Sequence, residues 1–183
     1  MIHFVAVIGP SAVGKSTIKK KLGYQTVITW TSRKPRNGEK HGVDYFFASR
    51  DEMQKRMESG YFLEMTEYDG NYYATSVESL NQVINDRRCV SVAVDLNGIQ
   101  ELKKHFGKEV LTLGLYISKE SCRARLESRN EGSVEERLAN YEEEIEGLLK
   151  YSDMIVNNEE ENWDRIPWIM DGVRTMVRDS ANS

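Results

Sequence analysis

Near the start of the chain, Gly9, Gly14, Lys15 and Ser16 stand in the pattern G-x-x-x-x-G-K-[ST]. These residue types at this spacing suit one kind of chemistry. Glycines let successive backbone N–H groups turn toward a phosphate, and the start of a helix adds positive potential. Lys15 can reach the β- and γ-phosphates of a nucleotide, and the Ser16 hydroxyl can ligate Mg²⁺. The segment Gly9, Pro10, Ser11, Ala12, Val13, Gly14, Lys15, Ser16, Thr17 is therefore expected to cradle nucleotide phosphate. A glycine-rich turn without a ligand is the bland alternative, and the flanking residues argue against it. Phe4 to Ile8 is apolar and β-branched, as a buried strand would be. Lys15 to Leu22 places Ile18 and Leu22 one turn apart on a helix. A strand before and a helix after is the setting the motif requires. What the phosphate is used for does not follow from the motif.

A second group lies in the segment Thr31 to Phe47, which breaks every periodic pattern. Arg33 and Arg36 flank the rigid Pro35, with Lys34, Lys40, Glu39 and Tyr45 close by in sequence. The planar fork of arginine matches a phosphate with two hydrogen bonds. A second phosphate site and a solvated basic loop both fit this composition. Asp95 ends the apolar run Cys89 to Val94, where a carboxylate beside a phosphate loop can hold Mg²⁺. It can equally cap the helix that follows, Leu96 to Phe106, and the two roles are compatible. Arg125 and Arg129 are four apart and share a helix face, with Arg137 beyond a break. They read either as a lid that closes over phosphate or as a salt-bridged helical hairpin.

The remaining elements supply the frame. Thr26 to Trp30 is expected as a strand, and Arg50 to Ser59 as a helix with Met53 and Met57 on one face and Gly60 as its stop. Tyr61 to Tyr68 and Asn71 to Thr75 flank Asp69-Gly70, a hairpin signal that gives the middle of the chain antiparallel character. Ser76 is placed to cap a helix running to about Asp86, with Val77, Leu80, Val83 and Ile84 inward. Val110 to Ile117 is a further strand, followed by a helix from Lys119 to Arg129 and a break at residues 130–133. Ser133 and Glu136 form a capping box for one helix whose inward stripe is Val134, Leu138, Tyr141, Ile145, Leu148 and Leu149. Met154 to Val156 is a short strand, and Asn162 to about Arg178 a terminal helix with Ile166, Ile169, Met170 and Val173 inward.

The 183 residues suggest one compact domain. A net charge of −4 gives no global pull toward nucleic acid. No apolar run approaches membrane-spanning length, and no leader pattern precedes the first strand, so no membrane partner is expected. Cys89 and Cys122 lack metal-ligand spacing and are read as free thiols of a cytoplasmic protein.

GPSAVGKST, TSRKPRNGEKHGVDYFF, GYFLEMTEYDGNYYATS, RLESR with ERL, and YSDMIVNN, taken together and in order, resemble the guanylate kinase family over nearly the whole chain. The middle two motifs are the more specific. The resemblance implies an α/β P-loop kinase fold: a parallel five-stranded sheet with helices on both faces, a small β-rich monophosphate-binding insert, and a helical lid. It places the core at residues 1–30 and 88–183, the insert at 31–87 and the lid at about 125–137. It implies transfer of the γ-phosphoryl of ATP, with Mg²⁺, to GMP or dGMP, in a monomer or homodimer. The positions that match the family's acceptor-phosphate ligands are Arg33, Arg36, Tyr45 and Tyr73, with Glu39 in the same loop. Glu64 matches its guanine-reading carboxylate, with Thr29 and Thr75 near the base. Guanine offers two adjacent N–H donors, which one carboxylate can accept together. Lys15, Arg125, Arg129 and Arg137 match catalytic and lid residues, Ser16 and Asp95 the magnesium network, and Asn157 a residue near the donor adenine. Ala93 and Asn97 stand where the family usually has aspartate and glutamine, and the segment between Arg129 and Arg137 is shorter than is typical. A same-fold kinase with another acceptor, a modified deoxynucleotide or a sugar phosphate, and a non-catalytic binding module are the alternatives.

Overall fold

A computed structural model describes residues 1–68, 70–85, 88–129 and 133–182, without the side chains of residues 83, 84 and 129. The inward facing expected of Val83 and Ile84, and the expectations for Asp69, Asp86 and residues 130–132, lie outside what is described.

Two sheets organise the chain. The first is wholly parallel, in the order β2 (Gln25–Thr26), β7 (Val90–Ala93), β1 (Phe4–Ile8), β8 (Val110–Tyr116), β9 (Met154–Asn157). β1 lies at its centre and is buried on both faces, as its unbroken apolar run requires. Its alternating side chains divide the core in two. Val5 and Val7 face a cluster with Ile18 and Leu22 of α1 (Lys15–Leu22), Cys122 and Leu126 of α5 (Lys119–Arg129), and Met170 and Val173 of α8 (Ile166–Ser180). Phe4, Ala6 and Ile8 face Leu80 of α3 (Val77–Asn85) and Ile99 and Leu102 of α4 (Leu96–Phe106). Ile18 and Leu22 hold α1 down; full burial of such side chains stabilises by roughly 1.5–3 kcal/mol each, which fixes a helix otherwise rich in lysine.

The second sheet runs β4 (Phe46–Phe47), β3 (Trp30–Thr31), β6 (Asn71–Ser76), β5 (Phe62–Tyr68). Its pairs are antiparallel apart from β3 with β4. Trp30, Phe62 and Ala74 pack with Met53 of α2 (Arg50–Glu58) into a small separate core.

Three expectations are corrected. The strand expected over Thr26 to Trp30 is two short strands in different sheets. The backbone changes partner between them: the Val27 N–H donates to Ser91 O in the first sheet, whereas Thr29 O accepts from Phe46 N in the second. The helix expected from Ser133 onward is α6 (Val134–Leu138) and α7 (Tyr141–Tyr151), and Leu149 at 65% exposure leaves the inward stripe. The terminal helix begins at Ile166 rather than Asn162, with a proline in its first turn and a 3-10 turn, Glu160–Asn162, before it.

Candidate active site

The phosphate loop joins β1 to α1 at the open end of the parallel sheet. Its glycines answer to two close approaches. A Cβ on Gly9 would lie 2.4 Å from Leu115 O, and one on Gly14 2.6 Å from the Asn158 amide. Both glycines have positive φ, and so does Ala12 at 61°, a conformation disfavoured for a residue with a side chain. α1 starts at Gly14 with no side-chain cap and no acid in its first turn, so its leading N–H groups remain available to an anion. The Lys15 ammonium bridges the Gly9 and Pro10 carbonyls, the latter at 3.1 Å. Burial pulls its pKa below the ordinary value, and the carboxylates of Glu144 and Asp95 pull the other way.

Across one cleft from Lys15 stand Thr29, Arg33, Arg36, Tyr45, Tyr73 and Thr75. β3 and β6 pair with Thr31 opposite Tyr73, which brings the arginine loop beside the tyrosine. Arg33 donates twice to Glu39, at 2.9 and 3.0 Å, and its guanidinium lies 5.5 Å from the Tyr45 ring centre. Glu39 also accepts the Arg36 N–H at 2.7 Å. Glu39 thus sits behind the arginines and orients them, without lining the cleft itself. Glu64, on β5, lines the cleft and accepts the Thr75 hydroxyl at 2.8 Å. Burial, aided by the negative charge of Asp95 and opposed by Thr75, pushes its pKa up to about 8. Ala93 forms part of the wall, so this end of the pocket is less acidic than a carboxylate there would make it.

Asp95 caps α4, accepting the Gly98 N–H at 2.8 Å, and also lines the cleft with Ser16. A hydroxyl and a carboxylate are hard oxygen donors. Among the described residues no cluster of three or more His, Cys, Asp or Glu could enclose a metal. The donor set therefore fits an ion that takes most of its ligands from phosphate and water, as Mg²⁺ does.

Of the three arginines, Arg137 on α6 lines the cleft. Arg125 lies outside it, donating to Asn158 O at 2.8 Å and Val13 O at 3.4 Å and lying over the Trp163 ring, so it seats the phosphate loop from the side. The Arg129 side chain is outside the described residues. Asn157 is exposed and accepts the Glu159 N–H. Its neighbour Asn158 is buried and donates to Val13 O at 2.7 Å.

Sequence reasoning passed over Tyr68 and Glu144, which both line the cleft. Glu144 lies in a run of glutamates that reads as a solvated face, yet it is three from Tyr141 and four from Leu148, both buried. That phase was the available signal. Its carboxylate lies beside the Ser11 backbone, one oxygen is buried without a partner, and burial pushes its pKa up to about 7 against the pull of Lys15. Two basic groups line one cleft, one with a lysine and a helix start, the other with an arginine fork and tyrosines, so the cleft has the donors to hold two phosphates.

A family model described as guanylate kinase matches residues 2–166. The chain is similar to the guanylate kinase of Fusobacterium nucleatum, 37% identical over 177 aligned residues that cover 92% of this chain and 96% of that one. It is similar to the guanylate kinase of Shouchella clausii, 32% identical over 181 residues, covering 94% and 85%. In fold it is similar to the crystal structure of guanylate kinase from Anaplasma phagocytophilum, with a TM-score of 0.75 at 23% identity, covering 98% of this chain and 86% of that chain.

Proposed function

The chain belongs to the guanylate kinase family, and from this and the two-sided cleft we infer that it transfers the γ-phosphoryl of ATP to GMP or dGMP, forming ADP and GDP or dGDP. One observation carries the reading: Lys15 and the helix start on one wall, and Arg33, Arg36, Tyr45 and Glu64 on the other, open into the same cleft. A hydrolase would need the first wall alone. A binding module would need the second alone.

The obstacle to the reaction is repulsion between two anions. A phosphate monoester, with its second pKa at about 6, is mostly dianionic at neutral pH and needs no general base. The chain's contribution is positioning and charge balance. The Arg33 fork, held by Glu39, and the Tyr45 and Tyr73 hydroxyls orient the acceptor phosphate. Glu64 accepts the paired N–H donors of guanine, and adenine offers no such pair. It does so as a carboxylate, so guanine binding draws off the proton that burial holds there. On the donor side, the phosphate loop and Lys15 receive the β- and γ-phosphates. Lys15 exchanges its contacts with the Gly9 and Pro10 carbonyls for phosphate oxygens. Ser16 and Asp95 would hold Mg²⁺, which supplies charge neutralisation on the β- and γ-oxygens when bound. Arg137 reaches the cleft from the lid and balances charge that builds on the transferred group. Residues 31–87 act as the acceptor-binding insert and α6 as part of the lid, and their closure keeps water from the γ-phosphate.

A coupled ADP-release assay across GMP, dGMP, AMP, dTMP, UMP and no acceptor tests the reading. ADP is expected with GMP and dGMP, with kcat/KM about 10⁴-fold above AMP, the discrimination reached when a site's hydrogen-bonding group is left unpaired. Equal rates with and without acceptor would mark a hydrolase. A preference for another acceptor would move the specificity away from Glu64.

A further inference from the structure

Tyr68 ends β5 at the mouth of the cleft, and the chemistry above makes no use of it. One side of the residue lines the cleft with the phosphate loop and Arg137. The other side lines a crevice between the β5–β6 hairpin and the lid, together with Glu67, Gly70, Glu136, Arg137 and Asn140. The Tyr68 hydroxyl donates to the Arg137 carbonyl at 3.4 Å. The Ser11 hydroxyl and the Arg137 side chain lie beside the phenol.

Ser11 is buried, its carbonyl accepts the Cys122 thiol at 2.8 Å, and the Glu144 carboxylate lies beside its backbone. α6, which carries Arg137, is five residues long and is followed by a break before α7, so a tie to the second sheet at Arg137 helps to set where it lies. Burial holds the phenol in its neutral, donating form.

We propose that Tyr68 is a positioning residue for the transfer, tying α6 to the second sheet through the Arg137 carbonyl and so holding the Arg137 side chain over the cleft. The proposal rests on the kinase reading given above. Through Arg137 the hydroxyl acts where charge builds in the transition state, so its loss falls on kcat rather than on the binding of either nucleotide.

The test is a cycle of Tyr68→Phe, Arg137→Ala and the double variant, with ATP and GMP each varied. Tyr68→Phe keeps the ring and is expected to melt with the parent. Its kcat is expected to fall about tenfold, the effect of losing about one net hydrogen bond, with both KM values within about twofold of the parent. The double variant is expected to be no slower than Arg137→Ala alone, because two residues acting as a unit do not add. A Tyr68→Phe kcat within twofold of the parent, or a double variant slower by the full product of the two losses, overturns the proposal. If the parent makes no ADP with GMP, the kinase reading fails by itself, and the positioning claim is judged by hydrogen exchange without nucleotide. Exchange across residues 134–138 is then expected to quicken about tenfold in Tyr68→Phe, the loss of about one net hydrogen bond. Unchanged exchange there overturns it.

Discussion

Glu64 is a carboxylate held where charge is disfavoured. In the folded chain it keeps its proton up to about pH 8, whereas the unfolded chain loses it near the ordinary value of 4.5. Between those values the folded state binds the extra proton, so stability from this group falls as pH rises and levels off above about 8. Denaturant unfolding of the parent, measured against Glu64→Gln, is expected to show the difference declining across that window. A flat difference from pH 5 to 8 would mean that Glu64 is already charged in the fold. The usefulness of this residue could be read from the sequence only by resemblance, because its burial depends on β6 supplying Thr75 beside it. Lys15 and Ser16 were legible without help, since local spacing alone defines a phosphate loop. Arg33 and Arg36 were legible as chemistry, but the sequence did not reveal that Glu39 would spend itself on Arg33. Glu144 was hidden in a charge run, and Tyr68 looked like one more alternating residue of a hairpin strand.

Among the elements, the parallel strands and the helices that cover them followed from apolar runs and turn residues. The breaks did not. α6 and α7 share one uninterrupted apolar phase in sequence, and the division at Asn140 comes from tertiary packing, with Asn140 making no side-chain cap. The crossing between sheets at residues 27–29 is equally non-local, because it depends on which carbonyl each N–H meets. One element contact has a direct consequence. α7 lies so close to β8 that a Cβ on Gly114 would sit 2.1 Å from the Ser152 hydroxyl and 2.8 Å from Leu148. Gly114→Ala is expected to destabilise by about 1–3 kcal/mol, the usual cost of overpacking, and thermal melting checks it. A melting temperature equal to the parent's would mean that α7 is free to shift outward. The same close seat brings Glu144 of α7 under Ser11, so this packing is part of how the cleft is built.

Taken whole, the molecule sets a rigid parallel sheet against a smaller mixed sheet, each carrying one cradle of the cleft. β1 is buried throughout and bears the phosphate loop at its end. The second sheet carries Arg33, Tyr73 and Glu64 around a core of a few large side chains. That division suits a reaction that must bring two anions together and then release them. Glu64 and Ala93 both line the cleft, so this part of it presents one carboxylate where two could stand. No helix among the described residues is long and apolar enough to cross a membrane. The most direct test of the account follows the label from ATP carrying a radioactive γ-phosphoryl, incubated with Mg²⁺ and GMP. The label is expected in GDP, in step with the ADP formed. Label released as inorganic phosphate, or retained on the protein, would contradict direct transfer between the two cradles.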